Sequence, residues 1–185
     1  MHLRLEQLHA GLPHILASPM DDGALELIVR RPAVDQREVL DVAELDLSEG
    51  LVGDTWRSRS SSRTADGSAH PDMQLNLMNA RVAHLVAGAR SRWPLAGDQL
   101  YVDLDLSEAN LAPWTRLAVG QAIIQITDQP HTGCGKFVAR FGADAMKFVN
   151  STEGRRLRLR GANARVVRPG TIRVGERVRK LPSGA

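Results

Sequence analysis

GDQLYVDLDL, residues 97–106, puts Leu100, Val102, Leu104 and Leu106 at every second position, with Tyr101, Asp103 and Asp105 between them. Successive side chains of a strand point to opposite faces, so this period of two reads as a β-strand with one apolar face. Asp98, Asp103 and Asp105 then read as its solvated face. The same alternation recurs on both sides. GALELIVRRP (23–32) alternates through Leu25, Leu27 and Val29 and is closed by Pro32, while QLNLM (74–78), LAVGQAIIQIT (117–127) and NARVV (163–167) read as further strands. REVLDVAELDLSEGLVGD (37–54) is a strand running into glycine turns at Gly50 and Gly53, and GTIRVGERVRKL (170–181) reads as a terminal hairpin.

Helical signals are fewer. Asn79 is placed to cap a helix from about Ala80 to Arg90, whose stripe of Val82, Leu85, Val86 and Ala89 ends before Trp93 and Pro94; Phe141 to Asn150 reads as a second short helix. RSRSSSRTADGSAHPD (57–72) is polar and rich in Ser and Arg, a loop expected to be mobile until a ligand orders it. At least seven short strands, glycine turns and two short helices make a mostly β chain with a barrel-like or sandwich core. Leu5, Leu8 and Leu12 fall at helical spacing within residues 1–22, an N-terminal extension to a domain over 23–181, with 182–185 as a tail.

The 185 residues suffice for one domain with a substantial core. A 43% hydrophobic and 24% charged composition is that of a soluble globular chain, with no apolar run long enough for a membrane helix and no secretory leader, so a cytoplasmic protein is expected. Charge is uneven. From Ser151 to Ala185, ten Lys or Arg face two Glu, a net of +8; over residues 1–150, fourteen face nineteen acids, a net of −5. RRLRLR (155–160) alternates, so as a strand it would put Arg156, Arg158 and Arg160 on one face, either a solvated surface or an anion site. The lack of any Phe, Tyr or Trp after Phe148 argues against nucleic acid as the partner.

HTGCGKF (131–137) holds the only cysteine. A lone cysteine is commonly an inert buried hydrophobe. Here Gly133 and Gly135 let the backbone bend and a ligand approach, and Lys136 and His131 favour the thiolate, the form that attacks electrophiles and binds soft metals. The loop also joins a strand to a helix, where rigid scaffolds commonly hold functional groups. The histidines show no zinc-ligand spacing with Cys134.

GLVGDTW (50–56), GDQLYVDLDLSEANL (97–111), LAVGQAIIQITDQPHTGCGKFVARFG (117–142), KFVN (147–150) and RLRGANARVVRPGTIRVGERV (158–178), in that order, resemble the MOSC domain family, named for the C-terminal domain of molybdenum-cofactor sulfurases. The resemblance spans roughly Gly23 to Leu181 and looks like a stand-alone bacterial-type member, a relative of the pyridoxal-phosphate-dependent sulfurases. It implies a MOSC-like β-barrel with a few short helices. It also implies that Cys134 is the functional residue, carrying sulfur as a persulfide or ligating molybdenum. His131, Thr132, Lys136 and Asn110 are then candidate cofactor contacts, and Arg63 and Arg160 candidates for a phosphate of molybdopterin. The expected partners are molybdopterin or a sulfur donor protein, and the expected activity is sulfurtransferase-like or that of a component of a molybdenum-cofactor-dependent oxidoreductase. The alternative is a non-catalytic binding module whose basic C-terminal face takes an anionic partner.

Overall fold

The strand that begins at Leu100 sits in the wall of a closed seven-stranded barrel in the computed structural model, which describes residues 2–182. Around the barrel the order is β1 (Gly23–Arg30), β6 (Leu100–Asp103), β5 (Leu75–Asn79), β9 (Ala162–Arg168), β8 (Ala122–Ile126), β7 (Arg116–Val119) and β11 (Arg177–Lys180). Pairing of Gly23 with Val178 returns β11 to β1. Among the described residues only β5 and β6 run parallel, joined by helix α3 (Ala80–Ala87), as a parallel connection requires a crossover. Strand β2 (Glu38–Leu40) continues along the far half of β1. A separate sheet of β10 (Gly170–Arg173), β3 (Val42–Asp46) and β4 (Gly50–Leu51) adds Ala43, Leu45, Leu51 and Ile172 to the same core.

Leu100, Val102, Leu104 and Leu106 all enter that core, as their period of two requires. Tyr101 faces outward into a second apolar cluster beneath the helices, where its hydroxyl donates to the Trp93 carbonyl at 2.6 Å. The β1 alternation breaks at one place. A register shift between Leu25 and Leu27 turns Leu25 and Ile28 into the barrel and Leu27 and Val29 into the outer cluster, so one strand serves both cores.

Within the first 22 residues, α1 (Leu5–Ala10) and α2 (Leu12–Leu16) bury Leu8 and Ile15 in the outer cluster, against α5 (Ala143–Asn150) and α3. Asn79 caps α3, its side chain accepting from the Arg81 and Val82 amides. The helix stops at Gly88, whose φ of 72° leaves helical space, and a 3-10 turn over Arg90–Ala96 takes in Trp93 and Pro94. None of the helices of the described residues is long and apolar enough to cross a membrane.

Three local expectations change. LAVGQAIIQIT forms the hairpin β7–β8 around Gly120 rather than one strand. Residues 170–181 do not pair with each other: β10 joins β3, whereas β11 joins β7 and β1. RRLRLR is not a strand. The Ser151 hydroxyl caps α6 (Thr152–Arg156) by accepting the Gly154 amide, and Arg158 then takes a left-handed φ of 48°. Arg156 ends up exposed, Arg158 donates to the Leu106 and Leu111 carbonyls, and Arg160 is buried, so the three share no face.

A candidate thiol site over an arginine-lined cavity

Strand β8 delivers the chain to residues 127–134, and α4 (Gly135–Phe141) takes it away. Phe137 and Phe141 anchor α4 in the outer core, with ring centroids 4.9 Å apart. The loop is held by Asn150 on α5: its Oδ1 accepts the Gly133 amide at 3.0 Å and its Nδ2 donates to the Gly133 carbonyl at 3.3 Å. Cys134 occupies the cap position ahead of α4 and is exposed. The two glycines differ. A Cβ on Gly133 would lie 2.6 Å from Met146 Sδ, whereas one on Gly135 would meet nothing within 4 Å.

Cys134 lines a cavity of about 410 Å³, within the range of small-molecule sites. Its floor is two buried ion pairs. Arg31 meets Asp54 at 2.7 Å and also donates to Asn76 Oδ1 and the Gly97 carbonyl. Arg160 Nη1 meets both oxygens of Asp98, at 3.0 and 2.7 Å, and Nη2 donates to the Ala96 carbonyl. His131 Nε2 joins the same Asp98 at 2.7 Å. Asp98, expected on a solvated face, is wholly buried, because the strand is preceded by Gly97 in a left-handed conformation and the carboxylate turns under Arg160 instead.

Burial alone would push the Asp98 carboxyl up; Arg160 and His131 overcome it and hold the pKa down at about 2. Burial, followed by the adjacent Arg160 charge, lowers His131 below its ordinary value. Its Asp98 contact opposes that shift without reversing it.

The rim carries Arg37, Arg59, Lys136 and Arg140. Asp35 pairs with Lys136 at 3.0 Å and with Arg140 at 3.1 Å. Arg37 and Arg59 have no carboxylate partner among the described residues. Arg37 donates to the carbonyls of Pro94 and Gln36, and Arg59 to the Thr55 hydroxyl. Both have lowered pKa values, Arg37 through burial and then the charges of Arg140 and Arg31, Arg59 through burial and then Arg31. Six cations therefore face three carboxylates, leaving a surplus of three positive charges around one cavity. Like charges gathered in partly desolvated space favour an anion between them.

Of the sequence candidates, Cys134, His131, Lys136 and Arg160 line this cavity. Thr132 lines a neighbouring cavity of about 410 Å³ whose wall His131 and Arg160 share. Arg63 lines neither; it donates to Gln129 Oε1 at 3.1 Å on the rim of the second. Asn110 also lines neither. Its amide bonds the Met20 and Asp105 carbonyls and its oxygen accepts from Lys180, which ties the N-terminal segment to β11. Sequence reasoning passed over Arg31, Arg37, Arg59 and Arg140, together with Asp54, and read Asp98 only as a solvated residue. One signal was available: Gly53-Asp54 and Gly97-Asp98 repeat the same dipeptide, each glycine with positive φ and each aspartate buried beneath an arginine.

The fold and site define a β-barrel protein that presents a single exposed thiol at the edge of an anion-seeking cavity. The chain belongs to the MOSC domain family, whose model matches residues 75–179. That membership links it to molybdenum-cofactor-related sulfur handling or binding. Among solved structures it is similar to the YuaD protein of Bacillus subtilis (15% identity, TM-score 0.59, covering 84% of this chain and 93% of that one). It is also similar to YiiM of Escherichia coli (18%, TM-score 0.55, 88% and 71%) and YiiM of Geobacillus stearothermophilus (14%, TM-score 0.54, 90% and 75%). At these identities the likeness concerns the fold. No curated protein matches the sequence.

Proposed function

We propose that this protein binds the molybdenum cofactor in the cavity beside Cys134, with the thiolate as a soft protein ligand and the arginines as the seat of its phosphate. The observation that carries the reading is the pairing of an exposed thiol with a cationic surplus in one cavity. The residues fit the group: the planar fork of arginine holds two phosphate oxygens at once, and Arg37 and Arg59 have no carboxylate competing for theirs. When bound, the cofactor would supply a redox-active metal centre. The chain's own residues orient its anionic end, hold the thiol on a loop clipped by Asn150, and leave open space at Gly135.

A second reading uses the same thiol, and the exposure of Cys134 favours it. A Cys134 thiolate attacks the outer sulfur of a donor protein's persulfide. The donor's sulfur–sulfur bond breaks, its cysteine leaves as a thiolate, and a persulfide forms on Cys134. The test is common to both. Wild type and Cys134→Ser, purified without oxygen from a host that makes molybdopterin, are compared for molybdenum, sulfane sulfur and intact mass. Serine is a harder ligand and forms no persulfide, so a folded Cys134→Ser should lose whichever of the two the wild type holds. Unchanged molybdenum and sulfane sulfur in that variant would reject a role for the thiol.

A further inference from the structure

The charged side chains that line the cavity beside Cys134 are five arginines, Lys136 and Asp35. Arginine and lysine donate and never accept. The buried and part-buried acceptors near them are already engaged, Asn76 Oδ1 and the Gly97 carbonyl by Arg31 and the Ala96 carbonyl by Arg160, while Asp35, exposed on the rim, takes both Lys136 and Arg140 on Oδ1. His131 Nδ1 is different. It has no hydrogen-bond partner among the described residues, while the opposite edge of the ring is fixed by Asp98 at Nε2 and packed against Gly161.

A carboxylate only accepts, so the short contact to Asp98 requires Nε2 to carry the proton. The charged groups around the ring are Asp98 and Arg160 in its own cluster and Arg31 on the cavity floor; across the second cavity stand Glu108, Asp128, Arg155 and Arg158. Arg160 already balances Asp98, so a proton on the part-buried His131 would add an uncompensated charge in partly desolvated space. The ring stays neutral, and Nδ1 is a bare acceptor. Arg31 links the parts, because its charge acts on His131, on Arg37 and on Arg59 alike.

From this arrangement we infer that the cavity selects an anion that also carries a hydrogen-bond donor, with the negative charge received by the arginines and the donor by His131 Nδ1. Asp98 is the positioning residue that holds the imidazole in the required tautomer. The inference rests on reading this cavity as an anion site and is independent of what the thiol does.

Sulfate and hydrogenphosphate test it, since the two are dianions of nearly the same size and shape and only the second has an O–H. Calorimetric titration at mildly alkaline pH and constant ionic strength is expected to show hydrogenphosphate binding wild type at least about tenfold tighter than sulfate, the scale of leaving a desolvated acceptor unpaired. His131→Leu should abolish the preference while still binding sulfate. His131→Asn, whose side-chain oxygen reaches roughly the place of Nδ1, should keep it. Arg37→Ala combined with Arg59→Ala should weaken both ions. Equal affinity for the two ions in wild type, failure of both to bind, a preference that survives His131→Leu, or one lost in folded His131→Asn would each overturn the inference. Molybdenum and sulfane sulfur measured on the same preparations report separately on the thiol.

Discussion

Replacing Asp98 by asparagine keeps the side chain's size and removes its charge. Asp98 is fully buried and Arg160 nearly so, and Asp98 is the carboxylate paired with that guanidinium. An isolated buried cation is far more costly than a buried pair, and breaking such a pair from one side typically costs about 3–5 kcal/mol. For a chain of this size that corresponds to a fall in melting temperature of roughly 10 °C. The acid limb of the stability curve provides a second measure. The Asp98 pKa is about 2 in the folded protein against 3.8 unfolded, so its charge stabilises the fold above pH 3.8. That contribution, about 2 kcal/mol, disappears as pH falls toward 2. His131 acts in the same direction at higher pH: its folded value is lowered from 6.5, so acidification below that value favours the unfolded chain, which takes the proton more readily. Denaturant titrations of wild type and Asp98→Asn at neutral pH and through the acid range read all of this. Asp98→Asn should lose the lowest acid step, and adding Arg160→Met, which removes the stranded cation, should recover much of the loss. A folded Asp98→Asn within about 1 kcal/mol of wild type would refute the claim that a buried ion pair underlies the cavity.

The cysteine loop makes two further predictions. Gly133→Ala must displace Met146, whose Sδ would lie 2.6 Å from the new Cβ, and should cost about 1 kcal/mol with altered alkylation of Cys134; Gly135→Ala meets nothing within 4 Å and should be neutral or up to about 1 kcal/mol stabilising, as alanine is in a helix. Paired melting curves check the contrast, and equal effects would contradict the loop geometry. Asn150→Ala removes both hydrogen bonds to Gly133 and should destabilise by about 1–3 kcal/mol while speeding amide exchange at Gly133 and Cys134; unchanged exchange there would show that Asn150 does not hold the loop.

The β-barrel was legible because alternation is local. Leu100, Val102, Leu104 and Leu106 must share a face in any extended chain, and the core that takes them follows from the need to bury that face. Cys134 stands out for a similar reason, as the one thiol between two glycines, and the structure shows it exposed beside a cavity. Elsewhere local pattern misled. The arginines of RRLRLR alternate as a strand would, yet a cap from Ser151 and the packing of Gly154 against the Phe148 and Val149 carbonyls make a helix and turn there. Asp98 looked solvated because its partner lies 62 residues away, and Arg31 finds Asp54 across 23. Charge pairing depends on distance in space and on the water removed around it, neither of which sequence spacing records. Only the tertiary structure decided which arginines are satisfied by aspartates and which, Arg37 and Arg59, are left facing the cavity without one, and the proposed anion site rests on that remainder.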